Sequence, residues 1–190
     1  MMKKTTVTLV ALLTAGISTA VTAERPDILV RFNGGIGVIP AQNVAGAATN
    51  TEATTFQEVR RNIVRGVIPA AGPWRIGALH AVVDSDGRIK VKGRGLLLAS
   101  GDSIGQTANL SVFATLICEA QGPFVQRSTS PAGVPLEPNG DFRIDDVLNP
   151  PPSDCASPVL LIRTTANGSW FAAGIRGFYD YLINEEGVQI

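Results

Sequence analysis

The segment from Trp74 to Ala120 constrains the fold most, because residue alternation and turn chemistry agree within it. Alternate positions before the Asp84-Ser85-Asp86-Gly87 turn are Trp74, Ile76, Ala78, His80 and Val82; those after it are Ile89, Val91, Gly93, Gly95 and Leu97. A period of two on both sides of an Asp-Gly turn is typical of an antiparallel hairpin. We therefore expect the two sets to share one face, with the glycines leaving room for a bulky neighbour such as Trp74 or marking a bulge.

Two further turns of the same chemistry, Asn139-Gly140 and Asn167-Gly168, also lie between short apolar runs. Asn-Gly favours the tight turns of hairpins because both residues tolerate a positive φ. The chain also has 20 glycines, 12 prolines and only 17% charged residues, as expected of a tightly turned β protein. These features predict an all-β fold, most simply an antiparallel β-sandwich, with a small barrel as the alternative.

The first 23 residues have the pattern of a secretory signal peptide. Met1-Met2-Lys3-Lys4 is basic, Val7 to Val21 is apolar, and Val21-Thr22-Ala23 is a small-residue cleavage site. A retained membrane anchor is the alternative, but the apolar run is shorter than the roughly 20 residues of a spanning helix. We expect export to the periplasm or the extracellular space, with no transmembrane segment in the mature chain.

Residues 24–190 have the length of a single domain. Within this domain, residues 40–55 are mostly Ala, Asn, Thr and Gly with little to bury, which predicts a flexible, exposed loop. Cys118 and Cys155 are the only cysteines. Because an exported chain meets an oxidising compartment, we expect them to form a disulfide.

Charge excludes one class of partner and indicates another. Without Lys3 and Lys4, 14 basic and 16 acidic residues remain, which does not indicate a nucleic-acid binder. Four cations nevertheless alternate along one strand: Arg88, Lys90, Lys92 and Arg94. Spaced about 6.8 Å apart, they could hold an anionic polysaccharide or an envelope surface bearing lipid headgroups. The alternative is a solvated face whose lysine stems cover Leu79 and Val83.

One short motif favours catalysis. Gly101-Asp102-Ser103-Ile104 resembles the nucleophile block of GDSL-type lipases and esterases, which implies that Ser103 is the nucleophile. The resemblance covers four residues. That family places its histidine in a late Asp-x-x-His block, whereas the single histidine here, His80, precedes Ser103. His80 is a candidate base or pH switch, or else a partly buried strand residue with one hydrogen bond.

Carboxylates occur near several turns, at Asp84, Asp86, Asp141, Asp145, Asp146 and Asp154. Calcium binds such oxygens, although aspartate is also a favoured turn residue. No complete calcium-loop motif is present, so we expect no cofactor and keep calcium as the alternative.

These observations together predict an exported, non-enzymatic β-sandwich module with a binding or structural role at the cell envelope or outside the cell. The alternative is a secreted hydrolase that uses Ser103. Self-association through exposed strand edges is a third prediction.

Overall fold

The computed structural model describes residues 26–39 and 62–177, and all regular secondary structure within them is β-strand. The signal peptide predicted over residues 1–23 and the loop predicted around residues 40–55 lie outside the described residues. The eleven strands are β1 Ile28–Gly37, β2 Trp74–Arg75, β3 Ala78–Asp84, β4 Arg88–Arg94, β5 Leu97–Leu98, β6 Ser111–Ile117, β7 Arg127–Ser128, β8 Val134–Pro135, β9 Phe142–Val147, β10 Val159–Thr164 and β11 Trp170–Arg176.

Nine of these strands form one antiparallel sheet in the order β7-β6-β10-β11-β1-β3-β4-β9, with β8 also paired to β6. The two ends of this sheet approach each other. Ser128 forms a bridge with Asn149, and the Ser130 amide donates to Asp146 Oδ2 over 2.8 Å. The predicted all-β class is therefore confirmed, and the nearly closed sheet has the barrel-like form of the alternative rather than two stacked sheets. Strands β2 and β5 form a separate two-stranded sheet.

The β3–β4 hairpin forms, but its register differs by one residue from the sequence prediction. Gly93 lies opposite Leu79, rather than Ala78, because Ser85, Asp86 and Gly87 all belong to the connecting loop. Gly87 has a φ of 89°, and its amide donates to the Asp84 carbonyl. A shift of one residue exchanges the faces of a strand, so Leu79 and Val83 are fully buried and His80 is exposed. Lysine stems therefore do not cover Leu79 and Val83.

Gly93 accommodates an aromatic ring, as the sequence suggested, but the ring belongs to a different residue. A Cβ atom at Gly93 would overlap the ring of Phe142, which lies directly opposite on β9. Trp74 instead stacks on Phe171, with ring centroids 4.0 Å apart. The glycine thus permits close packing between β4 and β9.

The outer surface of the sheet has a covered part and an exposed part. Nearly every residue of β6 is buried, because other segments pack outside it. The Arg65 guanidinium donates to the Ile117 carbonyl, and Arg163 lies over the ring of Phe113. Strands β3 and β4 instead alternate between buried and exposed residues. One side of the molecule therefore presents polar side chains to solvent.

The predicted disulfide between Cys118 and Cys155 is confirmed, and it joins residues 37 positions apart. The Ser157 amide also donates to the Cys118 carbonyl, so the end of β6 and the segment before β10 are held together twice.

In residues 26–39 and 62–177, no helix is long and apolar enough to span a membrane.

Candidate anion-binding site

The exposed side of the sheet contains a shallow concavity of about 450 Å³, which we call the basic concavity. Four consecutive strands of the sheet, β1, β3, β4 and β9, contribute to it. Its outward-facing side chains are Arg31, Asn33, His80, Val82, Lys90, Lys92, Arg143 and Asp145.

These eight residues form two rows across the four strands, because each one pairs with the next in register. The first row is Arg31, Val82, Lys90 and Asp145, and the second is Asn33, His80, Lys92 and Arg143. Neighbouring strands lie about 4.8 Å apart, so each row extends for roughly 14 Å. The polar groups therefore converge across strands as well as along β4.

The structure places all four cations of the predicted basic stripe on the exposed face of β4. Only Lys90 and Lys92 line the basic concavity. Arg88 instead bends back to its own turn, where its Nε lies 3.1 Å from Asp86 Oδ2. Arg94 pairs with Ala78 at the far end of the strand. The stripe therefore divides into two residues inside the concavity and two outside it.

Positive charge predominates in the basic concavity. Among the described residues that line it, Arg31, Lys90, Lys92 and Arg143 are cationic and Asp145 is the one carboxylate. Lys90 Nζ and Asp145 Oδ2 are 3.8 Å apart, and both side chains are about 70% exposed. Such a solvated pair contributes little to stability. In the described part of the chain, Lys92 and Arg143 form no ion pair.

His80 belongs to this concavity rather than to a buried strand face. Its Nδ1 lies 3.3 Å from Asn33 Oδ1. An amide oxygen can only accept, so Nδ1 is the donor in this contact. Nε2 has no hydrogen-bond partner among residues 26–39 and 62–177. The predicted single hydrogen bond is present, but the residue is exposed.

Ser103 occupies an exposed loop between β5 and β6, where its carbonyl accepts from the Gln106 amide. It does not line the basic concavity, and the hydrogen bond of His80 goes to Asn33. The structure thus does not bring the two candidate catalytic residues together.

Three of the six aspartates considered for calcium accept hydrogen bonds from backbone amides. Asp86 accepts from the Arg88 amide, Asp141 from the Gly95 amide, and Asp146 from the amides of Ser130 and Val147. Across residues 26–39 and 62–177, no three acidic, histidine or cysteine side chains form a group that could hold a metal ion.

The sequence did not indicate Arg31, Asn33 and Arg143 as site residues, and it indicated Asp145 only as a possible calcium ligand. Arg31 and Arg143 each lie between two buried neighbours, which was the available signal, but β1 and β9 are more than 100 positions apart. Their proximity depends on pairing through β3 and β4. No family model, curated protein or solved structure matches this chain.

Proposed function

We propose that this protein is an exported, non-enzymatic binding module whose basic concavity holds an anionic ligand. Acidic polysaccharide at the cell envelope or outside the cell is the class of partner that fits best. The observation that carries the proposal is the second row, in which Lys92 lies directly opposite Arg143. Like charges at directly opposed positions destabilise a sheet. An unfavourable pair of like charges that no neighbouring side chain neutralises is characteristic of functional positions.

The overall charge of the chain makes this cluster more distinctive. With the predicted signal peptide removed, the net charge is about −2. The cluster of cations in the concavity is therefore not the result of a generally basic protein surface. An anionic ligand would relieve the repulsion between Lys92 and Arg143 and could replace Asp145 as the partner of Lys90.

The shape of the site supports an extended ligand. The concavity is open to solvent along two parallel rows, and the half-buried Val82 lies between Arg31 and Lys90 in the first row. A polymer segment crossing from β1 to β9 could contact cations from three strands. The disulfide is compatible with export to the periplasm or the extracellular space, where such polysaccharides occur.

Two variants with equal charge changes test this proposal. Lys92→Glu/Arg143→Glu reverses two cations inside the concavity, whereas Arg88→Glu/Arg94→Glu reverses two outside it. We expect the first variant to weaken binding to an immobilised sulfated dextran at least tenfold, since each lost cation contact is worth roughly 1 kcal/mol. The second variant should retain most of the wild-type affinity.

Binding is measured by biolayer interferometry at about 0.15 M salt, where long-range attraction is screened. Circular dichroism and thermal unfolding establish that both variants are folded. Equal weakening in the two variants would show that net charge, rather than the concavity, governs binding. Absence of wild-type binding would contradict the proposed function.

A further inference from the structure

We infer that the basic concavity is a pH-responsive oxyanion site in which His80, Lys92 and Arg143 jointly hold one sulfate-type group of the ligand. This inference rests on the proposed function and adds the chemical class of the bound group and its regulation. The three residues are consecutive members of one cross-strand row on β3, β4 and β9. A tetrahedral oxyanion ester has three terminal oxygens, one for each donor, whereas a carboxylate has two.

The contact with Asn33 determines how His80 responds to protonation. Because Nδ1 donates to Asn33 Oδ1, the neutral ring has its lone pair on Nε2. This lone pair repels an oxyanion. Protonation converts Nε2 into a charged donor without breaking the bond to Asn33, and charge-assisted hydrogen bonds are about twice as strong as neutral ones. Protonated His80 therefore completes the site.

The groups around His80 favour coupling between proton and anion binding. Asn33 and Arg31 face it from β1, Lys90 and Lys92 from β4, and Arg143 and Asp145 from β9. Within residues 26–39 and 62–177, the carboxylate that lines the concavity is Asp145, which belongs to the other row and pairs with Lys90. A bound anion attracts the charged form of the imidazole ring and therefore favours its protonation. Lower pH therefore strengthens anion binding, and a bound anion strengthens proton binding.

The composition of the chain makes this response easy to assign. His80 is the only histidine among 190 residues. Free imidazole titrates near pH 6.5, whereas ordinary carboxyl groups titrate near pH 4 and terminal amines near pH 8. Sulfate esters remain ionised throughout this range. A pH response of binding that is lost when this single histidine is replaced is therefore assigned to His80.

The decisive experiment measures dextran sulfate binding to the wild-type protein and two His80 variants at about pH 5.5 and 7.5. We expect wild-type affinity to be about fivefold higher at the lower pH, corresponding to one added charge at the surface. His80→Gln should bind with the wild-type affinity of pH 7.5 at both values. His80→Lys, which is always charged, should bind tightly at both. Thermal unfolding establishes that each variant is folded.

Wild-type binding that is equal at both pH values would overturn the inference and leave the proposed function intact. A pH response that persists in His80→Gln would also overturn it. Carboxymethyl dextran of matched charge density serves as the planar-anion comparison at the lower pH. Equal affinity for the two polymers would overturn the assignment of a sulfate-type group. Absence of binding at either pH would contradict the proposed function itself.

Discussion

Individual side chains stabilise the end of the sheet formed by β6 and β7 through buried polar contacts. Arg127 is buried, and its Nη1 lies 2.8 Å from Glu119 Oε1 and 3.1 Å from the Val125 carbonyl. The Val125 amide in turn donates to Glu119 Oε2. Partial burial would raise the pKa of Glu119, but the hydrogen bonds from Val125 and Arg127 outweigh it. The pKa of this carboxyl therefore lies below its ordinary value of 4.5.

This lowered pKa predicts acid sensitivity. A carboxyl with a depressed pKa in the folded state stabilises the protein above its ordinary pKa, and that stabilisation is lost as pH falls through the folded-state value. Glu119→Gln should lower the free energy of unfolding by about 1–2 kcal/mol at pH 7, because it leaves the Arg127 charge buried without a counterion. The partial exposure of Glu119 to solvent keeps this loss below that of a fully buried ion pair.

Urea unfolding measured from about pH 7 to pH 3 tests this prediction, and the difference between wild type and Glu119→Gln should shrink on acidification. Glu137→Gln, at an exposed carboxyl, is the control and should match the wild type. A constant difference across the pH range would contradict the ion-pair explanation.

At the scale of strands, glycine at one inward-facing position determines how closely β4 and β9 pack. Gly93→Ala would place a methyl group inside the volume of the Phe142 ring. We expect this substitution to lower the free energy of unfolding by about 2–3 kcal/mol, as overpacking of a core commonly does. Because Arg143 follows Phe142 directly, we also expect the displaced strand to weaken binding in the basic concavity.

Gly72→Ala is the matched control, since a Cβ atom there meets no atom within 4 Å and its φ is not positive. It should leave thermal unfolding and dextran sulfate binding unchanged. Equal stability of Gly93→Ala and Gly72→Ala would show that the β4–β9 contact can relax without cost.

At the scale of the whole molecule, the disulfide ties a central strand to a long connection. Arg65 reinforces the same junction, because its Nη1 donates to the carbonyls of Ile117 and Ser157 and its Nη2 donates to Ser157 Oγ. Cys118→Ala/Cys155→Ala should lower the free energy of unfolding by about 3–4 kcal/mol, the magnitude expected for a loop of this length.

Denaturant unfolding of the double variant, beside wild type with and without reductant, measures this effect. The variant and the reduced wild type should unfold at the same lower denaturant concentration. An unchanged midpoint would show that Arg65 and the surrounding packing hold the junction without the covalent bond. Dextran sulfate binding should persist where the variant remains folded, because neither cysteine lines the basic concavity.

The sequence predicted the β class, the disulfide and the exposure of the basic stripe, because turn residues, cysteine content and residue alternation indicate these features directly. The stripe comprises Arg88, Lys90, Lys92 and Arg94. One local expectation from the sequence was incomplete. Asn139-Gly140 joins β8 to β9, but these two strands pair with different strands rather than with each other. A turn sequence specifies a bend, whereas the partners of the flanking strands depend on distant segments.

The tertiary structure alone decided the barrel-like closure, the face on which His80 lies, and the convergence of Arg31, Asn33, Arg143 and Asp145 with Lys90 and Lys92. One additional residue in the hairpin loop exchanges the buried and exposed faces of a strand. The alternation of apolar and polar residues within each strand does not determine how the two strands align. Closure depends on which pairing buries most apolar surface across the entire chain. The sequence therefore determined which residues are basic and exposed, and only the packed sheet determined that they form one site.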